Sequence, residues 1–282
     1  MGRLVKELLS EKLSPEELDD IISGFDVIGD IAVIKIPDTL LPKKSLIAET
    51  LLENVKSVKC VFRQASPVSG EYRLMGLEYL AGENRTSTEC KESGCRFYVD
   101  IGKTYFSPRL SAERLRIANL VGENEVVVNM FAGVGTFSIL IAKKRKTSTN
   151  YVIDLNPDAY EMILKNAFVN KVDDRIIAFL GDAARIISYR LAGFANRVIM
   201  PYPERSIEYF PYAVKALREE GGVIHLYLHV KSAPIDETIN EVLPELVLPH
   251  NFKISSTRGK VVREVGPRIV QVVLDLEVTA SA

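Results

Sequence analysis

Cysteine is scarce in this chain of 282 residues, at positions 60, 90 and 95 only. Three cysteines cannot build a disulfide framework, and no second ligand pair follows Cys90 and Cys95, which argues against a zinc module. These two flank the turn-like KESG and could pair across a hairpin; an intracellular setting would keep them as thiols. Long apolar runs are also missing. None approaches the roughly 20 residues that a membrane span needs. The opening MGRLVKELLSEKLSPEELDD is charged and helical in pattern, without the apolar core and cleavage site of a secretory signal. MGRLVK lacks the Ser or Thr that a myristoylation signal places sixth. The expectation is a cytoplasmic protein with no membrane association. Charge of one sign is absent as well: 36 basic residues face 37 acidic ones, a net charge of −1. Any nucleic-acid binding must therefore rest on local patches. No internal repeat or low-complexity tract is present.

What the chain does have is a large apolar fraction, 47%, and a length that suggests two domains. Residues 4–23 read as one or two short helices, with Ser14-Pro15-Glu16-Glu17 as a helix start. FDVIGDIAVIKIP reads as strand, turn, strand, and KSLIAETLLENV as an amphipathic helix. SVKCVFRQAS is a further strand and STECKESGCRFYVDIG a hairpin. Residues 1–104 thus form a smaller α+β domain, with a sheet expected to be antiparallel. From 105 to 282 the pattern changes. VVVNM, YVIDL, IIAFLGD, RVIM and GVIHLYLHV are apolar strands that alternate with helical segments, among them ARIISYRL and SIEYFPYAVKAL. Strict alternation predicts a doubly wound, mostly parallel α/β sheet. The tail, VVREVGPRIVQVVLDLEV, should close that sheet in antiparallel fashion.

The first strand of the alternating unit ends in NMFAGVG. Gly133 and Gly135 allow the backbone to approach a ligand at the carboxyl edge of the sheet, beside a helix N-terminus. A dinucleotide fingerprint would place a third glycine at Ser138, and no GKS or GKT follows, which excludes a P-loop. Asp154 ends the next strand, where an acid can accept hydrogen bonds from both hydroxyls of a ribose. Asp182 ends the third, at LGDAA. Each also precedes a helix, so capping is the structural alternative for both. Together with FAGVG they give the layout of a class I S-adenosylmethionine-dependent methyltransferase, with a dinucleotide enzyme as the generic rival. The fourth strand stops on Pro201-Tyr202-Pro203, a rigid end of the kind that holds a substrate contact.

The run YFSPRLSAER, then NMFAGVGTFSI, IDLNPDAYEMILKNAFVNKV, GDA, VIMPYP and GGVIHLY, closely resembles the tRNA (guanine-37, N1)-methyltransferases of archaea and eukaryotes. It resembles equally their sister enzymes of wyosine-base synthesis. YRLMGLEYLAGENRTST is similar to the same family's substrate-platform, RNA-binding domain, and the resemblance covers roughly residues 55–275. It implies S-adenosylmethionine as cofactor, no metal, and the anticodon loop of tRNA at position 37 as partner, with the protein a monomer. It also implies that the additional N-terminal module by which larger members grip the tRNA elbow is missing. The cofactor contacts it implies are Phe131, Ala132, Gly133, Val134, Gly135, Asp154, Leu155, Asn156, Asp182, Ala183 and Arg109. The implied catalytic pair is Glu113 and Arg73. A carboxylate can take the N1 proton of guanine as the methyl arrives, and a guanidinium can polarise O6. Without the resemblance Glu113 would be read as a first-turn acid and Arg73 as a surface ion pair. Arg109 is an arginine that the sister aminocarboxypropyl transferases usually lack; its alternatives are a phosphate contact or an ion pair.

For the RNA, the implied contacts are Pro201, Tyr202 and Pro203 at the base, and Arg258, Lys260 and Arg268 in the basic tail, which also holds Lys253 and Arg263. KKRK at 143–146 reads instead as a solvated helix end, and His225 and His229 as core residues sharing one strand face. Two positions depart from the ordinary pattern. Asn129 stands where an acid often precedes MFAG. Pro201-Tyr202-Pro203 replaces an Asn-Leu-Pro, which removes an amide that could read a base edge. A proline here resembles the wyosine branch, some of whose members methylate guanine N1 and also carbon 7 of 4-demethylwyosine. The open alternatives are an aminocarboxypropyl transferase and a non-catalytic RNA-binding paralogue.

Overall fold

FDVI and IAVI are too rich in β-branched and aromatic residues to sit well in a helix, and they pair across a tight turn. The computed structural model describes residues 2–22 and 24–281. The chain divides into two compact units, Met1–Pro108 and Arg109–Ala282.

In the first unit, α1 (Gly2–Leu9) and α2 (Pro15–Asp20) precede β1 (Phe25–Ile28) and β2 (Ile31–Ile34). Ser14 opens α2 as expected: its hydroxyl accepts from the Glu17 N–H while the Glu17 carboxylate accepts from the Ser14 N–H, a reciprocal capping box. Helix α3 (Lys44–Asn54) leads to β3 (Cys60–Gln64) and then β4 (Leu77–Gly82). The strand order is β1-β2-β3-β4. The antiparallel expectation needs correcting here. β2 and β3 run parallel, because α3 forms a crossover between them and a crossover returns the chain in the same direction. Leu9, Ala48, Leu51 and Val61 centre this unit's core. The hairpin of β5 (Ser87–Glu92) and β6 (Cys95–Asp100) is as read. Ser93 and Gly94 turn it with φ of 48° and 79°, the two positive angles of a type I′ turn. Cys90 registers with Phe97 and Cys95 with Glu92, so the two cysteines are not cross-strand partners.

The second unit opens with α4 (Ser111–Leu120). Then come β7 (Val126–Asn129), α5 (Thr136–Lys144), β8 (Thr149–Asp154), α6 (Pro157–Val169), β9 (Ile176–Leu180), α7 (Ala183–Ile186), β10 (Arg197–Met200) and α8 (Ser206–Ala216). It ends with β11 (Gly221–Lys231), α9 (Ile235–Val242), β12 (Phe252–Gly266) and β13 (Ile269–Ala280). The sheet order is β12-β13-β11-β10-β7-β8-β9. The five strands from β11 to β9 are parallel, and β13 and β12 close the other side antiparallel, as the tail suggested. One face buries Val128, Val198, Leu226, Leu274 and Leu276 against Ala183, Phe210, Ala213 and Val214, from α7 and α8. ARIISYRL is only partly regular α-helix: α7 passes into a wider π turn at Ile187–Leu191, which brings both Ile187 and Leu191 into the core. α9 is not among the expectations. Ile235 and Ile239 pack it onto β12 at Gly259, where a Cβ would lie 2.4 Å from Ile235 Cγ1.

Candidate active site at the carboxyl edge of the sheet

β7 lies centrally, with β8 on one side and β10 on the other. The chain winds outward in both directions from that pair, so the loops after β7 and β10 part and leave a crevice, where open α/β sheets place their ligands. NMFAGVG fills one side of it. Gly133 and Gly135 have φ of 55° and 85°, values that favour glycine. A Cβ on Gly135 would also lie 3.0 Å from Ile139 Cδ1. The Gly133 N–H donates to Asp154 Oδ2 at 2.6 Å, and the Asn156 N–H donates to Oδ1 at 2.9 Å. Asp154 therefore ties the glycine loop to the end of β8. The cap of α6 is Asn156, whose side chain accepts from the Asp158 N–H at 3.0 Å. Capping is thus not what Asp154 does. Burial pushes its carboxyl up to about 6, against the backbone N–H groups that favour the charge.

Asp182 is different. It does cap α7, accepting from the Arg185 N–H at 3.0 Å, and its other oxygen accepts from the Tyr209 hydroxyl at 2.6 Å. Phe131 of the glycine loop meets the rings of Tyr202 and Tyr209 edge-on, with centroids at 5.3 and 5.1 Å. Phe131, Tyr202, Asp182 and Tyr209 thus share one wall. Leu155 is half-buried and Ala132, Val134 and Ala183 are buried beside these loops. The Pro-Tyr-Pro end of β10 is held by Ser206, whose hydroxyl reaches the carbonyls of Met200 at 3.1 Å and Tyr202 at 2.9 Å. Pro201 and Tyr202 stay half-buried and Pro203 is buried. Asn129 is fully buried at the end of β7; its amide nitrogen donates to Ser138 Oγ at 3.2 Å while its Oδ1 has no hydrogen-bond partner.

Glu113 stands in the first turn of α4 and is 3% exposed. Its carboxylate accepts from Arg116 Nε at 2.8 Å and Nη2 at 2.7 Å, and from the Tyr227 hydroxyl at 2.7 Å. Lys260 Nζ approaches from the edge strand β12, 3.7 Å away. Arg258 lies two residues earlier on β12 and is exposed. Arg109 and Arg268 line one groove with Ser232 and Glu264, so Arg109 stands with the basic tail. Arg73 belongs to the first unit. It sits in a turn with φ of 54°, its guanidinium 4.3 Å from the centre of the Tyr105 ring.

Sequence reasoning missed Tyr209, Ser206, Arg116, Tyr227 and Asp275. Arg116 follows Glu113 by three residues, a legible helical ion pair. Asp275 interrupts the apolar run VVLDLEV, a sign of an acid held by a partner. His225 is core, as read, and makes close contacts with Asp275 and Arg197. Among the described residues no group of three or more His, Cys, Asp or Glu is arranged to hold a metal ion, and no helix is long and apolar enough to cross a membrane.

Comparison with known proteins agrees with this architecture. Residues 88–254 match the model of the TRM5/TYW2 methyltransferase domain, and residues 5–86 that of the TYW2 N-terminal domain. The chain is 37% identical over 266 residues to the tRNA (guanine(37)-N(1))-methyltransferase Trm5b of Pyrococcus abyssi, covering 94% of this chain and 78% of that one. It is 35% identical over 278 residues to the tRNA 4-demethylwyosine(37)-methyltransferase Taw21 of Saccharolobus solfataricus, covering 98% and 99%. The crystal structure of P. horikoshii TYW2 in complex with MeSAdo superposes with a TM-score of 0.78 at 29% identity, covering all of both chains. In sequence and in fold, the chain belongs to the TRM5/TYW2 methyltransferase family.

Proposed function

We propose that this protein is an S-adenosylmethionine-dependent tRNA methyltransferase acting on the base at position 37, at N1 of guanine and also at carbon 7 of 4-demethylwyosine. The observation that carries the position-37 reading is Glu113, a buried carboxylate fixed by three donors at the carboxyl edge that also bears the glycine loop and Asp154. The residues fit the cofactor. Asp154 offers carboxylate lone pairs to a ribose diol, and the wall of Phe131, Tyr209 and Asp182 offers aromatic faces with a polar end, suited to adenine. When bound, the cofactor supplies an electrophilic methyl group on a sulfonium.

The protein's own residues have three tasks. Glu113 receives the N1 proton of guanine, which makes that nitrogen a nucleophile. Arg73 polarises O6 as charge develops there. Tyr202, stiffened by two prolines and the Ser206 hydroxyl, offers a ring for the target base to stack on. Arg258 and Lys260 on β12, and Arg109 and Arg268, which line one groove with Ser232 and Glu264, suit RNA phosphates.

The second substrate is favoured by Pro201, which withholds an amide and leaves a slot for a tricyclic base. It is also favoured by the end-to-end match to a relative named for 4-demethylwyosine methylation. Purified protein should be given tRNA-Phe bearing guanine or 4-demethylwyosine at position 37, with label in the methyl group or in the aminocarboxypropyl chain of the cofactor. Methyl label should enter both bases. Label entering only from the aminocarboxypropyl chain would overturn methyl transfer, and no label in the tricyclic base would remove the dual reading. Glu113→Ala should abolish transfer to guanine; a pure RNA-binding paralogue would have no activity to lose. Pro201→Asn should shift preference towards guanine.

A further inference from the structure

Behind Glu113 runs a line of charges that the proposed chemistry does not use; His225 and Arg197 in it are buried, and Arg116, Asp275 and Glu125 are half-buried. Arg116 bonds Glu113 and also Asp275, at 2.6 Å through Nη1 and 3.2 Å through Nη2. Asp275 Oδ1 lies 2.5 Å from His225 Nδ1. His225 Nε2 lies 2.8 Å from Arg197 Nη1. Arg197 in turn makes a two-pronged contact with Glu125, at 2.7 and 3.0 Å. The line crosses the sheet. Glu125 immediately precedes β7 and Arg197 begins β10, so both stand at the amino edge. His225 pairs in register with Ile199 and Asp275, at mid-sheet. Tyr227 lies one residue beyond the last β10–β11 pair, Met200 with Leu226, and so at the carboxyl edge.

The protonation states along this line are consistent. His225 is fully buried, and burial lowers its pKa despite the neighbouring Asp275. A neutral ring donates from Nδ1 to Asp275 and accepts at Nε2 from the Arg197 guanidinium. Burial opposes the charge on Asp275, but the bonds from His225 and Arg116 outweigh it and hold its carboxyl well below the usual range. Asp275 is therefore an anion, and Arg116 is shared between two carboxylates. Burial and the Glu113 carboxylate push the Tyr227 hydroxyl well above its ordinary value, which keeps it a donor. The Tyr227 ring also packs 6.0 Å from that of Phe137, in the first turn of the helix that follows the glycine loop.

Ion pairs withdrawn from water are often replaceable by apolar residues without loss of stability, so stability alone is a weak reason for such a line. Its end at Glu113 suggests another. We propose that Tyr227 and the Arg116–Asp275 pair are positioning residues for the reaction at Glu113, fixing both carboxylate oxygens and tying their position to the glycine loop through Phe137. The inference rests on Glu113 being the proton acceptor. With Tyr227 and Phe137 in place the carboxylate is oriented before substrate arrives, and Asp275 gives Arg116 a second partner when Glu113 takes up a proton.

The test is single-turnover methylation of tRNA by four variants of the full chain: Tyr227→Phe, Asp275→Asn, Glu113→Gln, and Tyr227→Phe combined with Glu113→Gln. Tyr227→Phe keeps the ring on Phe137 and removes one hydroxyl. Each positioning variant should slow the methyl-transfer step by about 10- to 100-fold, while KM for tRNA and cofactor stays within about twofold of wild type. Glu113→Gln should lose more, and adding Tyr227→Phe to it should cost nothing further. A Tyr227→Phe rate equal to wild type, or losses that multiply in the double variant, would overturn the positioning role while leaving Glu113 as base. A Glu113→Gln variant at the wild-type rate would overturn both. Should Asp275→Asn fail to fold, Tyr227→Phe and the double variant decide alone.

Discussion

Asp154 and His225 show how single groups here respond to pH in opposite senses. Burial raises the Asp154 carboxyl to about 6, while a ribose diol needs its charged form as acceptor. Affinity for S-adenosylmethionine should therefore climb by up to about tenfold per pH unit below that value and level off above it. Calorimetric titration from pH 5 to 8 checks this, and Asp154→Asn should bind more weakly with a flat profile. For stability the sign reverses. Between the ordinary 3.8 and about 6 the folded protein holds a proton that the unfolded chain releases, so the Asp154 contribution falls as pH rises through that window. His225 has its pKa lowered from 6.5, so below that pH the unfolded chain takes up a proton that the fold refuses. Its contribution is present above 6.5 and is lost as pH falls. The wild-type curve sums the two, and Asp154→Asn and His225→Gln each expose the other in thermal melts. By NMR the His225 ring should show no titration step near pH 6.5.

At the scale of elements, the strand β10 and the turn after it depend on Ser206. This buried hydroxyl reaches two carbonyls, Met200 and Tyr202. Ser206→Ala should cost about 1–2 kcal/mol in chemical denaturation, because a buried carbonyl loses its donor. It should also raise KM for tRNA more than KM for cofactor, because it loosens Tyr202 and leaves the glycine loop intact. The start of β11 is less forgiving. Gly221 has φ of +100°, and a Cβ there would stand 2.0 Å from the Val278 carbonyl oxygen. Gly221→Ala should destabilise by about 3 kcal/mol or more, since only movement of the β13 backbone could relieve the clash. Neither element announces these needs in sequence: GG before an apolar strand and SIEY after a proline read as ordinary turn residues.

For the molecule as a whole, near-neutral net charge leaves RNA affinity to the local basic surface. Arg258 and Lys260 stand two residues apart on β12, and their register partners Asp275 and Val273 place them on one sheet face. Lys260 reaches Glu113 from there. If Arg258 and Arg268 each neutralise one phosphate, each alanine substitution should reduce the slope of log affinity against log salt by about 1. Filter binding of tRNA between low and moderate salt measures that slope. Substitution of the solvated Lys144 or Lys146 at the end of α5 should leave it unchanged.

The sequence by itself determined the alternation of apolar strands and helices, the glycine turn at 133–135, the strand-end acids and the stiff Pro-Tyr-Pro. These are local matters, set by side-chain period, backbone freedom and the missing N–H of proline, and each is complete within a few residues of chain. It also carried the family resemblance, since wording and spacing survive without coordinates. The parallel β2–β3 pair was misread because strand direction depends on a crossover that pairs residues far apart in the chain. Only the tertiary structure separated Asp154 from Asp182, since both precede helices and only the fold shows Asn156 taking the cap of α6. Only it could join Glu113 to Tyr227 and, through Arg116, to Asp275, 159 residues away from Arg116. Burial, and the hydrogen bonds that make a buried charge tolerable, belong to the folded chain, so the surroundings that hold the Glu113 carboxylate in one orientation are decided there.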